Sequence, residues 1–291
     1  MSVTDTQPGF VPTGRTLGFG GTIHAEWVKL RSLRSTWWVL GSLLAVTVGV
    51  GAQVSSSLSF DGVPGVVSQD ARQDLGVYSV TVSTDFTALI VGVLGVLVIT
   101  GEYGTGTIRS AFTAVPGRLP MLWAKVLVFA GAAFVVSAAS FAVAVPISVG
   151  LLAGNGVEVR LDDPHYWSAV LGSTAYLVLV GVTALSIGAL LRSTSGAIAL
   201  TFGLFLAAPL ALSLILGISP PDWAQNLMAL LPSIAGKLLF SYPSAQNWVD
   251  LSAPSPDGSW LSEPWQGLLV LIGWSAVLLT AAAVLLRRRD A

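Results

Sequence analysis

Residues 99–125 read ITGEYGTGTIRSAFTAVPGRLPMLWAK. The stretch is rich in glycine, threonine and charge, yet it lies between two of the most apolar runs in the chain, residues 86–100 and 122–152. A helix needs about 20 predominantly apolar residues to cross roughly 30 Å of hydrocarbon, and both runs approach or exceed that length. The stretch therefore reads as a connection between two membrane spans. That reading makes the whole chain an all-α integral membrane protein.

Composition agrees. Of 291 residues, 53% are hydrophobic and 10% charged, with a mean hydropathy of +0.77. Soluble domains carry about 25% charged residues. The absence of cysteine excludes thiol catalysis, disulfides and thiolate metal sites. A net charge of −1 gives no sign of a nucleic-acid partner. Residues 1–22 are polar and rich in Gly, Thr and Pro, without the basic start and apolar centre of a signal peptide, so they read as a disordered cytoplasmic tail.

Six segments qualify as spans, at about residues 37–54, 86–100, 122–152, 167–191, 196–218 and 265–286. The second is short and extendable back towards Tyr78. The third is long enough to require tilt, a cytoplasmic extension or a kink at Pro146. Six crossings put both termini on one side. Only Arg72, Arg160 and Lys237, of 14 lysines and arginines, then fall on the other side. Basic residues gather in the cytoplasm, so both ends are expected there, with residues 287–291 a basic end that fixes orientation. Trp37, Trp38, Trp123, Trp167 and Trp265 fall at span ends, as an aromatic belt requires.

Two amphipathic segments flank this frame. In residues 23–38, which hold an entry segment at 23–36, Ile23, Trp27, Leu30 and Trp37 share one helical face while Lys29, Arg31 and Ser35 lie off it. This reads as an entry helix lying in the inner interface, basic residues near the headgroups. Within the opening stretch, Ile108, Ala111, Phe112 and Val115 recur at helical spacing, and Pro116 stops the run. A short cytoplasmic helix is expected there. Its glycines do not form a phosphate loop, since no G-x-x-x-x-G-K-[S/T] is present. Arg118 and Lys125 fit simple interface anchoring.

AEWVKLRSLRSTWW followed by GEYGTGTIRSAFTAVPGRLPMLWAKVLV resembles the permease subunits of ABC-2 type transporters of GC-rich bacteria. LPSIAGKLLF, before the last span, extends the likeness. The resemblance implies a six-span permease of an ATP-binding-cassette exporter in the bacterial inner membrane. It implies no catalytic residue and no cofactor in this chain, with ATP and Mg on a partner. The partners implied are two ATP-binding subunits and a second permease copy or a related permease. By the same resemblance Glu102, Thr107, Arg109 and Phe112 lie at the ATPase contact, with Glu26, Lys29 and Arg31 of the entry helix adjacent. Short re-entrant helices before the last span would form the external gate, here Trp223, Leu227, Leu230 and Pro232.

Two other functions stay open on sequence alone. An ion-coupled transporter needs ionisable groups inside the membrane. The spans hold no interior Asp or Glu, and Asp85 sits at the outer edge of the second. A non-transporting scaffold or sensor could use the same docking helix. An enzyme is disfavoured: Asp162, Asp163 and His165 form the nearest thing to a cluster, and they read as a solvated outer loop.

Overall fold

The computed structural model describes residues 18–32, 34–59, 67–105, 118–218, 222–243, 261 and 263–288. Among the described residues there is no strand, and six helical stretches are long and apolar enough to cross a membrane: Arg34–Ser57, Gln69–Gly104, Leu119–Gly154, Pro164–Leu191, Thr194–Leu216 and Pro264–Arg288.

Helix α1, Phe19–Ser32, precedes the first span, α2, Arg34–Ser57. The second span is a stack of two helices, α3, Gln69–Thr81, and α4, Thr84–Thr105. Sequence reading reached back only towards Tyr78. The polar α3 starts earlier because the Ser68 hydroxyl caps it, accepting from the Ala71 N–H. Helix α5, Arg118–Gly154, stays continuous through Pro146. Its 37 residues rise about 55 Å, well beyond the roughly 30 Å of a hydrocarbon core. Gly156, at φ +76°, turns the chain after α5, and the Val157 N–H closes back onto the Leu152 carbonyl.

Helix α6, Pro164–Leu191, is buried along most of its length and forms the axis of the bundle. Helix α4 lies against it with glycines at the seam. A Cβ on Gly95 would stand 2.4 Å from the Gly181 carbonyl oxygen, and one on Gly188 would stand 2.6 Å from Ile99. Close backbone approach at small residues is how membrane helices gain packing contact.

The fifth span is broken into α7, Thr194–Phe202, a π turn, Gly203–Ala207, and α8, Ala208–Ile218. Pro209 explains the break. It has no N–H for the Phe205 carbonyl, and just before it the ladder widens, with Ala208 N–H donating to Gly203 O. Two short helices follow, α9, Asp222–Ala229, and α10, Pro232–Leu238, before the last span α11, Pro264–Arg288.

The turn between α9 and α10 does not stay at the end of the bundle. Trp274 Nε1 donates to the Leu230 carbonyl at 3.0 Å, and Trp274 lies ten residues, about 15 Å, along α11. Helix α10 then climbs back: a Cβ on Gly267 would meet the Ala235 carbonyl oxygen at 2.2 Å. The pair is a hairpin that dips into the bundle and returns. Met228, Leu231 and Ile234 seat it on α8 through Ala208, Leu212 and Leu216.

Candidate functional site

Four charged side chains from three helices meet at the end of the bundle that carries both described chain ends. Lys29 Nζ lies 2.8 Å from Glu26 Oε1 and 3.1 Å from Glu102 Oε1. Lys125 Nζ donates to Glu26 Oε2 and, at 2.8 Å, to Glu102 Oε1. The result is a closed ring of alternating sign: Glu26, Lys29, Glu102, Lys125. Lys125 is 3% exposed, Glu26 5% and Glu102 13%, whereas Lys29 is 45% exposed and forms the open side. A buried charge without a partner is strongly unfavourable, so the neutral ring is what lets these residues lie inside.

Local sequence accounts for each contribution. On α1 the buried face is Thr22, Glu26 and Leu30, at i, i+4 and i+8. Of the expected apolar face only Leu30 belongs to it; Ile23 and Trp27, each one residue on from Thr22 and Glu26 and so about 100° round the helix, are half-buried and exposed respectively. A helix lying at an interface has two such faces, one for the bundle and one for lipid. Glu102 closes the last turns of α4. Lys125 sits two turns into α5, among Met121, Leu122 and Ala124. It is therefore no interface anchor, contrary to the sequence reading. The available signal was its position inside the apolar run that begins at Leu119, where a lysine requires a partner.

Electrostatics follow the geometry. Burial alone would raise the Glu26 carboxyl, but Lys125 and then Lys29 outweigh it and hold Glu26 below the ordinary carboxylate range. Burial would likewise lower Lys29, and the carboxylates of Glu26 and Glu102 more than compensate, leaving it raised. Glu102 takes both lysines on one oxygen. Its Oε2 is buried and has no hydrogen-bond partner among the described residues.

The other side of the α4 terminus is also held. Thr194 Oγ1 donates to Thr100 Oγ1 at 2.9 Å, and the Arg192 guanidinium lies 5.2 Å from the Tyr103 ring centroid. Arg192 has φ 54°, a left-handed cap on α6 that costs a non-glycine residue about 1 kcal/mol. Sequence reading did not single out Arg192.

Of the residues expected at the ATPase contact, Glu102, Glu26 and Lys29 come together in the ring. Arg31 does not: it is exposed and offers its backbone carbonyl to Trp37 Nε1 at 3.0 Å. Thr107, Arg109 and Phe112 lie outside the described residues. Of the expected gate residues, Leu227 and Leu230 are exposed, Pro232 is buried at the start of α10, and the Trp223 side chain lies outside the described residues.

At the opposite end, the outer cluster is more organised than a solvated loop. Asp163 caps α6 through the His165 N–H at 2.9 Å and accepts from Tyr242 Oη at 2.7 Å and Gln73 Nε2 at 3.1 Å. Burial would raise its carboxyl, but the Tyr242 hydroxyl and then the His165 N–H keep it below the usual range. Gln73, fully buried, also exchanges two bonds with the Arg160 backbone. Asp162 stays exposed. The cluster ties α3 to α6 and to the chain after α10.

Asp85 also has a partner: its Oδ2 lies 3.5 Å from Lys237 Nζ on α10.

A family model described as ABC-2 family transporter protein matches residues 24–291. No curated protein matches the chain.

Proposed function

Because the chain belongs to the ABC-2 transporter family, we propose that it is the permease subunit of an ATP-driven exporter in a bacterial cytoplasmic membrane, with both termini cytoplasmic. Two ATP-binding subunits on separate chains would supply hydrolysis, and a second permease copy or a related permease would complete the pathway.

One observation carries the reading. The ion ring joins the entry helix α1 to both helices that flank residues 106–117, the expected coupling segment. A displacement applied to that segment reaches α4, α5 and α1 together. Glu102, whose Oε2 has no partner among the described residues, is the ring member with capacity to exchange partners as the segment moves. Thr107, Arg109 and Phe112 are assigned to the ATPase contact, and the α9–α10 hairpin, with Trp223, Leu227, Leu230 and Pro232, to the external gate. Asp85, the candidate of the ion-coupled alternative, lies 3.5 Å from Lys237, and the family match favours the permease reading.

Mild-detergent purification of the full chain from native membranes, with mass spectrometry, tests the assignment. A stoichiometric subunit carrying G-x-x-x-x-G-K-[S/T] is expected with the unaltered chain. It should be lost with Arg109→Glu and weakened with Phe112→Ala, while membrane insertion is unchanged. Absence of such a subunit, or its full retention by both variants, would refute it.

A further inference from the structure

Helix α4 has an ion contact at each end. Glu102 sits in the ring at one terminus, and Asp85, in the first turn, meets Lys237 of the hairpin at the other. The two carboxylates are 17 residues apart, about 26 Å along a helix, close to the roughly 30 Å of a hydrocarbon core. With Glu102 at one membrane face, the Asp85–Lys237 pair lies at the border of the opposite leaflet. Asp85 is 55% exposed and Lys237 27%. An unpaired lysine at this depth would have to snorkel outward, and Lys237 instead turns to α4.

The hairpin is held from two directions. On one side α11 grips it through the Trp274–Leu230 hydrogen bond and the close approach of Gly267 to Ala235. On the other, Gly236 lies flat against the Tyr176 ring of α6, and Lys237 reaches Asp85 on α4. Helices α4 and α6 pack at their glycine seam, but α6 is itself joined to α11, where Thr183 Oγ1 and Ser275 Oγ lie 2.9 Å apart. The Lys237–Asp85 pair is the contact that ties the hairpin to α4 rather than to α6 or α11.

We propose that α4 is the lever of this permease and that Lys237 is the positioning residue that makes the hairpin follow it, through Asp85. This rests on the assignment of the hairpin as the external gate. Displacement received at Glu102 leaves α4 at Asp85, and the pair draws α9–α10 away from Trp274.

The chain has no cysteine, so spin labels placed at Leu227→Cys and Glu263→Cys report the hairpin-to-α11 distance in the full-length protein without other changes. Asp85→Asn and Lys237→Gln should each shift the distance distribution towards the shorter separation set by α11. Lys237→Arg should retain the original distribution, and the exchanged pair Asp85→Lys with Lys237→Asp should restore it. Glu102→Gln should shift the distribution when the pair is intact and leave it unmoved in the Lys237→Gln background. A distribution insensitive to both single neutralisations, or a Glu102→Gln shift of equal size in both backgrounds, would overturn the proposal. The measurement needs no ATPase, so the lever can hold even if no ATP-binding partner is found, in which case only the permease reading fails.

Discussion

Lys125 shows what a single charge contributes inside this bundle. It holds two carboxylates from different helices, and at 3% exposure water cannot replace it. Lys125→Gln should cost about 3–5 kcal/mol, the usual penalty for breaking a buried pair from one side, and should release α1. Acid should release the same helix. Glu26 titrates below its ordinary value in the folded protein, so its contribution is fully present above the unfolded value of about 4.3 and is lost as pH falls through the lowered one. Lys29 is raised, so its contribution is complete below about 10.4 and is lost as pH rises through the raised value. Proteolytic cleavage in and just after α1 should therefore be flat from about pH 5 to 10 and increase in acid, while the Lys125→Gln protein is already cleaved at neutral pH. Glu26 and Lys29 could be placed near the site from the sequence, but their partners could not. Contacts across 99 residues, as between Glu26 and Lys125, leave no local periodicity. The lysine announced only that it needed a partner.

Among the elements, the six spans were legible because apolar length is a property of each segment alone. The breaks within them required three-dimensional context or exact backbone accounting: the cap at Ser68, and the widened turn before Pro209. Glycines divide in the same way. Gly41 and Gly273 would place a Cβ in open space, whereas Gly236 would meet the Tyr176 ring at 2.2 Å and Gly267 the Ala235 backbone oxygen at 2.2 Å. Gly41→Ala and Gly273→Ala should be neutral or stabilise by up to about 1 kcal/mol through helix propensity. Gly267→Ala should cost about 1–3 kcal/mol by overpacking against backbone and loosen the hairpin. Thermal unfolding of the purified protein separates the two classes, and equal midpoints for Gly273→Ala and Gly267→Ala would contradict the close α10–α11 packing.

For the whole molecule, the helices form two stations about one bilayer apart, an ion ring at the end with both described termini and a hairpin tied to α4 near the other. The opening stretch of sequence explains why charge collects where it does: its glutamate and its lysine bracket residues 106–117 and close on α1. On the function proposed above, this ring carries ATPase movement into the permease. Its most direct test is the ATP hydrolysis rate of the assembled complex in proteoliposomes, comparing the unaltered chain with Glu102→Gln. The complex should stay assembled while the permease-dependent stimulation of hydrolysis falls about tenfold, within the usual range of coupling between sites. An assembled Glu102→Gln complex with undiminished stimulation would contradict it.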